Sequence, residues 1–94
     1  MFNENLRKIR LYNKKTQKQV ADHLHISTQS VSKWEKGNSF PCLDFLPKMA
    51  TFFGCTINTF FSDYELKVYL EFGVLDQVEM VSHFYKAKKS NKNN

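Results

Sequence analysis

The sequence has no long apolar run, no basic-then-apolar leader and no CxxC pair, and each absence removes a class of protein. Its N-terminus, "MFNENLRKIR", does not have the order of a signal peptide, and the longest apolar stretches are a few residues, so a soluble, cytoplasmic chain without a membrane partner is expected. Two cysteines, Cys42 and Cys55, do not make a secreted disulfide framework and are read as reduced thiols packed as small apolar groups. No P-loop, Ser-His-Asp order or paired-carboxylate arrangement stands out, and 94 residues give one modest core with no room for a large enzyme cleft. No enzymatic activity and no cofactor are expected. His23 and His25 with the two cysteines do not have zinc-finger spacing, and positions two apart diverge on a helix, so no metal site is assigned.

What is present is positive charge, and it is localised. Residues 1 to 62 hold nine Lys or Arg and four Asp or Glu, a balance of +5, while residues 63 to 94 hold five of each. Within the first part, Asn3 to Asn38 carries eight basic groups against three acidic ones. Such a surface fits a polyanion partner. On charge alone an ordinary solvated lysine-rich surface fits as well.

The apolar pattern of the first two thirds is helical. Leu6 and Ile9 share a face with Arg10, on a helix expected to start after Asn3 and end near Asn13. "TQKQ", Thr16 to Gln19, has capping-box spacing and opens a helix from about Gln17 to Leu24 with Val20, Ala21 and Leu24 as its stripe. Ser27 caps a third helix, Thr28 to Lys36, on which Val31 and Trp34 share one face and Gly37 marks the stop. Asp44 is expected as the N-cap of a fourth helix from Phe45 to Gly54, with Pro47 in its first turn, and Thr56 as the cap of a fifth through Phe61.

Beyond Ser62 the alternation in "YELKVYLEF" favours a strand, although Ser62 and Glu65 also have capping-box spacing for a helix. Residues 74 to 86 fit either a second strand or a helix, and "KAKKSNKNN" has nothing to bury and reads as a disordered basic tail over residues 87 to 94. The expected organisation is a domain over residues 1 to 62, an extension over 63 to 86 and the tail.

Two short helices joined by His25-Ile26-Ser27, the second with a polar outer face, define a helix-turn-helix. Ala21 is small where the two helices must cross closely. Residues 5 to 61 resemble the five-helix domain of the Cro and phage-repressor (XRE-like, lambda-repressor-like) family, through "TQKQVADHLHIS", "STQSVSKWEKG", "FLPKMATFFG" and "TINTFF" in that order. The resemblance implies a mainly α fold and a DNA-binding function. One departure is His25, at a turn position where the family usually has Gly; His tolerates positive φ at some cost.

The resemblance, set against the geometry of a major groove that admits one helix, implies base contacts from Thr28, Gln29, Ser32 and Lys33. Gln29 is the sharpest of these, because a primary amide pairs with both the N6 and N7 edges of adenine. Backbone contacts are implied for Thr16 and Gln17 at the start of the second helix, where side chain and helix amides bind a phosphate together, and for Lys36 and Asn38 on the other side of the groove. Glu35 shares a face with Val31, which turns it inward, and the family commonly pairs this position with an arginine on the first helix, here Arg10.

The expected function is a sequence-specific transcriptional regulator, in the repressor sense, acting on double-stranded DNA. One helix reads few base pairs, so a homodimer on an inverted repeat is expected, joined through residues 64 to 86. The alternative is an antitoxin-like protein-interaction module whose extension binds a partner protein.

Overall fold

The computed structural model describes residues 1–73; the 74–86 segment and the 87–94 tail lie outside the described residues, and with them the second half of the expected dimer element. The chain forms α1 (Phe2–Tyr12), α2 (Gln17–Leu24), α3 (Thr28–Lys36), α4 (Phe45–Phe53), a 3-10 turn (Ile57–Phe60) and α5 (Asp63–Phe72). α1 lies against α3 on one side and against the 3-10 turn and α5 on the other, while α2 packs on both α3 and α4. The core is where these contacts meet. Leu6, Ile9, Val20, Val31, Met49 and Phe60 are fully enclosed there.

α1 begins earlier than its sequence pattern indicated, at Phe2 rather than after Asn3. The reason is tertiary. Phe2, Asn5, Leu6, Ile9 and Arg10 make one continuous buried face, and Phe2 packs on Phe40 and Phe61, with ring centroids 4.6 and 5.4 Å away. Asn5 is a buried polar side chain without cost, since its Nδ2 donates to the Phe60 carbonyl at 3.0 Å.

α2 and α3 start as expected. The Thr16 hydroxyl accepts from the Gln19 amide at 3.0 Å and Gln19 Oε1 accepts from the Thr16 amide at 2.8 Å, completing the capping box. Ser27 Oγ accepts from the Ser30 amide at 3.3 Å. At α4 the expectation needs correction: Asp44 stands at the N-cap position but in helical conformation, with no side-chain cap. The amides of Phe45 and Leu46 instead donate to the carbonyls of Cys42 and Leu43, so the preceding turn does the capping. The short helix expected through Phe61 is a single 3-10 turn, Ile57–Phe60.

The larger correction concerns residues 64 to 72, which are α-helical rather than a strand. Ser62 Oγ accepts from the Glu65 amide at 3.2 Å, so the capping signal was the informative one; the Glu65 carboxylate reaches Thr56 instead of closing the box. Strand alternation would have turned Tyr69 outward, but Leu66 and Tyr69, three apart, are the residues this helix buries, at 5% and 2% exposure. The Tyr69 hydroxyl donates to the Phe53 carbonyl at 2.6 Å and accepts from Asn13 Nδ2 at 2.9 Å. α5 therefore belongs to the core of the domain. Cutting the chain after Ser62 removes two buried side chains worth about 1.5–3 kcal/mol each, so it is not a neutral way of deleting an appendage.

Burial also sets two titrations. Desolvation pushes the Cys55 thiol up from its ordinary 9.0 to about 12, against a small opposite effect of its hydrogen bond with Thr59. Desolvation likewise raises Tyr69 above its ordinary 10.0, opposed by the Asn13 hydrogen bond. Both groups hold their protons more firmly folded than unfolded, so their contribution to stability is intact below their ordinary values and is lost as pH rises through the raised ones. Urea midpoints are expected to be level near neutrality and to fall as pH rises from about 9. Tyr69→Phe leaves the Phe53 carbonyl unpaired and should lower stability at neutral pH by about 1–3 kcal/mol, while flattening the alkaline decline; an unchanged midpoint would show that the phenol contributes nothing.

Candidate nucleic-acid interface

α3 is a weak helix by composition, with Thr, Ser, Val and Trp among its nine residues and no alanine. Its inner face holds it in place. Val31 is fully buried and Trp34 is 5% exposed, with Phe45 5.8 Å from the indole. Both ends are closed: Ser27 caps the start, and at the finish Gly37, at φ 78°, brings its own amide to Trp34 and that of Asn38 to Lys33. Against that fixed inner face, Thr28, Gln29, Lys33 and Lys36 are exposed, Ser32 is half-buried, and Asn38 is exposed just past the cap.

The turn before α3 is tight because His25 adopts the left-handed conformation, φ 58° and ψ 43°, at the C-cap of α2. Its amide donates to Asp22 and that of Ile26 to Ala21, satisfying the last carbonyls of α2. Lys14, at φ 57°, is the other non-glycine residue with positive φ among the described residues, in the loop between α1 and α2.

The N-terminus of α2 has two amides outside the helix ladder and outside the cap. Gln19 donates to the Thr16 hydroxyl and Val20 to the Thr16 carbonyl, which leaves the amides of Gln17 and Lys18 for an external acceptor. Gln17 is half-buried, because its Nε2 donates to Glu35 Oε1 at 3.1 Å. Glu35 in turn is the partner of Arg10: Nε donates to Oε2 at 2.6 Å and Nη2 to Oε1 at 2.9 Å, with the two side chains 10% and 4% exposed. The third guanidinium nitrogen, Nη1, donates to the Lys15 carbonyl at 2.9 Å. Every nitrogen of Arg10 is thus engaged, and Glu35 presents no bare charge on the outside.

Reading along the chain located Thr16, Gln17, Thr28, Gln29, Ser32, Lys33, Lys36 and Asn38 on these helix starts and outer faces, but it missed the bonds that tie Gln17 and the Lys15 carbonyl to the ion pair. Nothing in local spacing announces them. Among the described residues no three of His, Cys, Asp or Glu stand close enough to hold a metal ion, and no helix is long and apolar enough to cross a membrane.

Two helices at a tight turn, the second polar outside and apolar within, on a basic five-helix scaffold, define a helix-turn-helix domain. The helix-turn-helix domain family model matches residues 3–66, and the chain belongs to this family, in its Cro and phage-repressor branch. The match runs into α5 as far as Leu66, one of the two buried residues of that helix. The chain is 38% identical over 65 residues to the HTH-type transcriptional activator BcrR of Enterococcus faecalis, an alignment covering 69% of this chain and 32% of that protein. The chain thus spans about a third of the length of that curated relative. No solved structure matches.

The left-handed positions carry a direct test. An L residue there costs about 1–2 kcal/mol, which glycine avoids, in part offset by its greater freedom unfolded. His25→Gly is expected to raise stability by about 0.5–1 kcal/mol. Gly37→Ala, whose added carbon meets only Asn3 at 3.5 Å, should lower it by about 1–2 kcal/mol. Chemical denaturation of both variants decides the matter; a His25→Gly protein no more stable than wild type would mean that the imidazole itself supports the turn.

Proposed function

We propose that the domain is a sequence-specific reader of double-stranded DNA acting in transcriptional regulation, with α3 in the major groove. The observation that carries the reading is the α3 surface: an exposed row of Thr28, Gln29 and Lys33 with Ser32 at its edge, on a helix whose inner face is locked by Val31 and Trp34. A helix fixed this way presents hydrogen-bonding groups at little further conformational cost. In this reading Thr28, Gln29, Ser32 and Lys33 face bases. Gln29 pairs with adenine N6 and N7, and Thr28 offers its methyl to thymine. Thr16, Gln17, Lys36 and Asn38 contact the backbone and set the register.

The enterococcal relative is an activator by name, so the proposal is a transcriptional regulator rather than a repressor in particular. One α3 reads only a few base pairs, and a symmetric pair of domains on half-sites about 34–36 Å apart supplies the rest. Residues 64 to 86 remain the proposed contact between copies. Within them Leu66 and Tyr69 are committed to the domain's own core, so in α5 that contact falls to the outward side.

Selection of bound sequences from random duplexes tests the reading. The wild-type chain is expected to enrich an inverted repeat, and Gln29→Ala to relax one position of each half-site by about 1–3 kcal/mol. Lys33→Ala and Lys36→Ala should each reduce the slope of log affinity against log salt by about 1 if the ammonium meets a phosphate. A folded protein that enriches no sequence would sink the proposal.

A further inference from the structure

We propose that Glu35 is the positioning residue for the phosphate contact at the start of α2, acting through Gln17 as well as holding Arg10. This rests on the DNA-reading function proposed above.

A primary amide has a donor end and an acceptor end of the same shape, and in the free domain an unrestrained glutamine turns its oxygen outward as readily as its nitrogen, although only the nitrogen serves a phosphate. The wrong end is repelled. Glu35 removes the ambiguity, because an ionised carboxylate only accepts hydrogen bonds, and so Nε2 of Gln17 must face it, as it does at 3.1 Å. Nε2 carries two hydrogens. One is taken by Glu35, and the second is left for a phosphate oxygen alongside the unpaired amides of Gln17 and Lys18. The carboxylate itself would oppose a phosphate were it not covered: Arg10 supplies two charged donors to it, and its side chain is only 4% exposed.

Glu35 belongs to α3, and Gln17 to α2. The backbone anchor is therefore fastened to the reading helix by a residue of that helix, and Arg10 extends the link to the Lys15 carbonyl in the loop leading to Thr16. A phosphate seated on α2 and a base edge met by α3 are held in one register by one carboxylate.

The test is a mutant cycle on the full chain with its selected operator. Glu35→Gln alone leaves Arg10 buried beside a neutral partner and risks unfolding, so the second background is Arg10→Met with Glu35→Leu, which replaces both charges by apolar groups and preserves folding in comparable buried pairs. Gln17→Ala is expected to weaken binding about tenfold in the wild-type background, the size of one hydrogen bond to a charged oxygen. In the Arg10→Met/Glu35→Leu background the same change should cost less than about twofold, because Gln17 is no longer held. A methylphosphonate scan gives an independent readout: one position in each half-site should weaken the wild type and leave the Glu35 variants indifferent. Equal Gln17→Ala losses in both backgrounds overturn the positioning role while the DNA reading stands. A wild-type chain that enriches no sequence overturns both. In the free wild-type protein, the Gln17 side-chain amide should be as rigid by 15N relaxation as the backbone around it, and motion like that of the exposed Gln29 amide also overturns the inference.

Discussion

The arrangement of the domain turns on one buried ion pair. Taking a guanidinium and a carboxylate out of water costs several kcal/mol apiece, and their mutual attraction restores this only when the remaining donors and acceptors are satisfied. Here they are. Arg10 meets Glu35 twice and the Lys15 carbonyl once, and Glu35 takes a further hydrogen from Gln17. The pair need not add net stability to matter; what it contributes is relative placement. Four segments, α1, the loop after it, the start of α2 and the end of α3, meet at two side chains, and rotating any one of them away would strand a buried charge.

The rest of the interface follows from that constraint. α3 can be poor in helix formers because its apolar face and its Glu35 are held from outside, so tertiary packing supplies what intrinsic preference does not. Its outer positions are thereby released from any duty to the fold. Among the described residues, the side chains of Thr28, Gln29 and Lys33 make no hydrogen bond or ion pair within the domain, so their donors and acceptors are available for a ligand. The same economy of contact is visible at the turn, where His25 sits in the left-handed region with its backbone amide used and its side chain exposed.

How much of this was legible in the sequence differs from one element to the next, for physical reasons. α2, the turn and α3 were readable because capping, apolar spacing and the Gly37 stop agree, and agreement among local signals is what specifies a segment without outside help. The direction of Glu35 was readable from its spacing to Val31. α5 was not, because Tyr64, Leu66, Val68, Leu70 and Phe72 satisfy a period of two while Leu66, Tyr69 and Leu70 satisfy one of 3.6, and the Ser62 cap was the one local signal on the side of the helix. What decides is a carbonyl sixteen residues earlier: Phe53, which Tyr69 reaches only from a helix packed on the 3-10 turn. Phe2 was missed likewise, since its partners Phe40 and Phe61 lie in distant loops.

Pairs of that kind also explain why Gln17 could be placed at the start of α2 from the sequence while its bond to Glu35 could not. Gln17 stands eighteen residues before Glu35, and Arg10 twenty-five before it. Each has an ordinary surface reading when taken alone. Only when α1 and α2 are folded onto α3 does a charge that would oppose a polyanion become covered on one side by Arg10 and turned, through Gln17, into an orienting group on the other. A glutamate in the middle of "SKWEKG" is then no exception to a basic surface, because its charge is neutralised inside the domain and its remaining hydrogen-bonding capacity points the neighbouring amide outward.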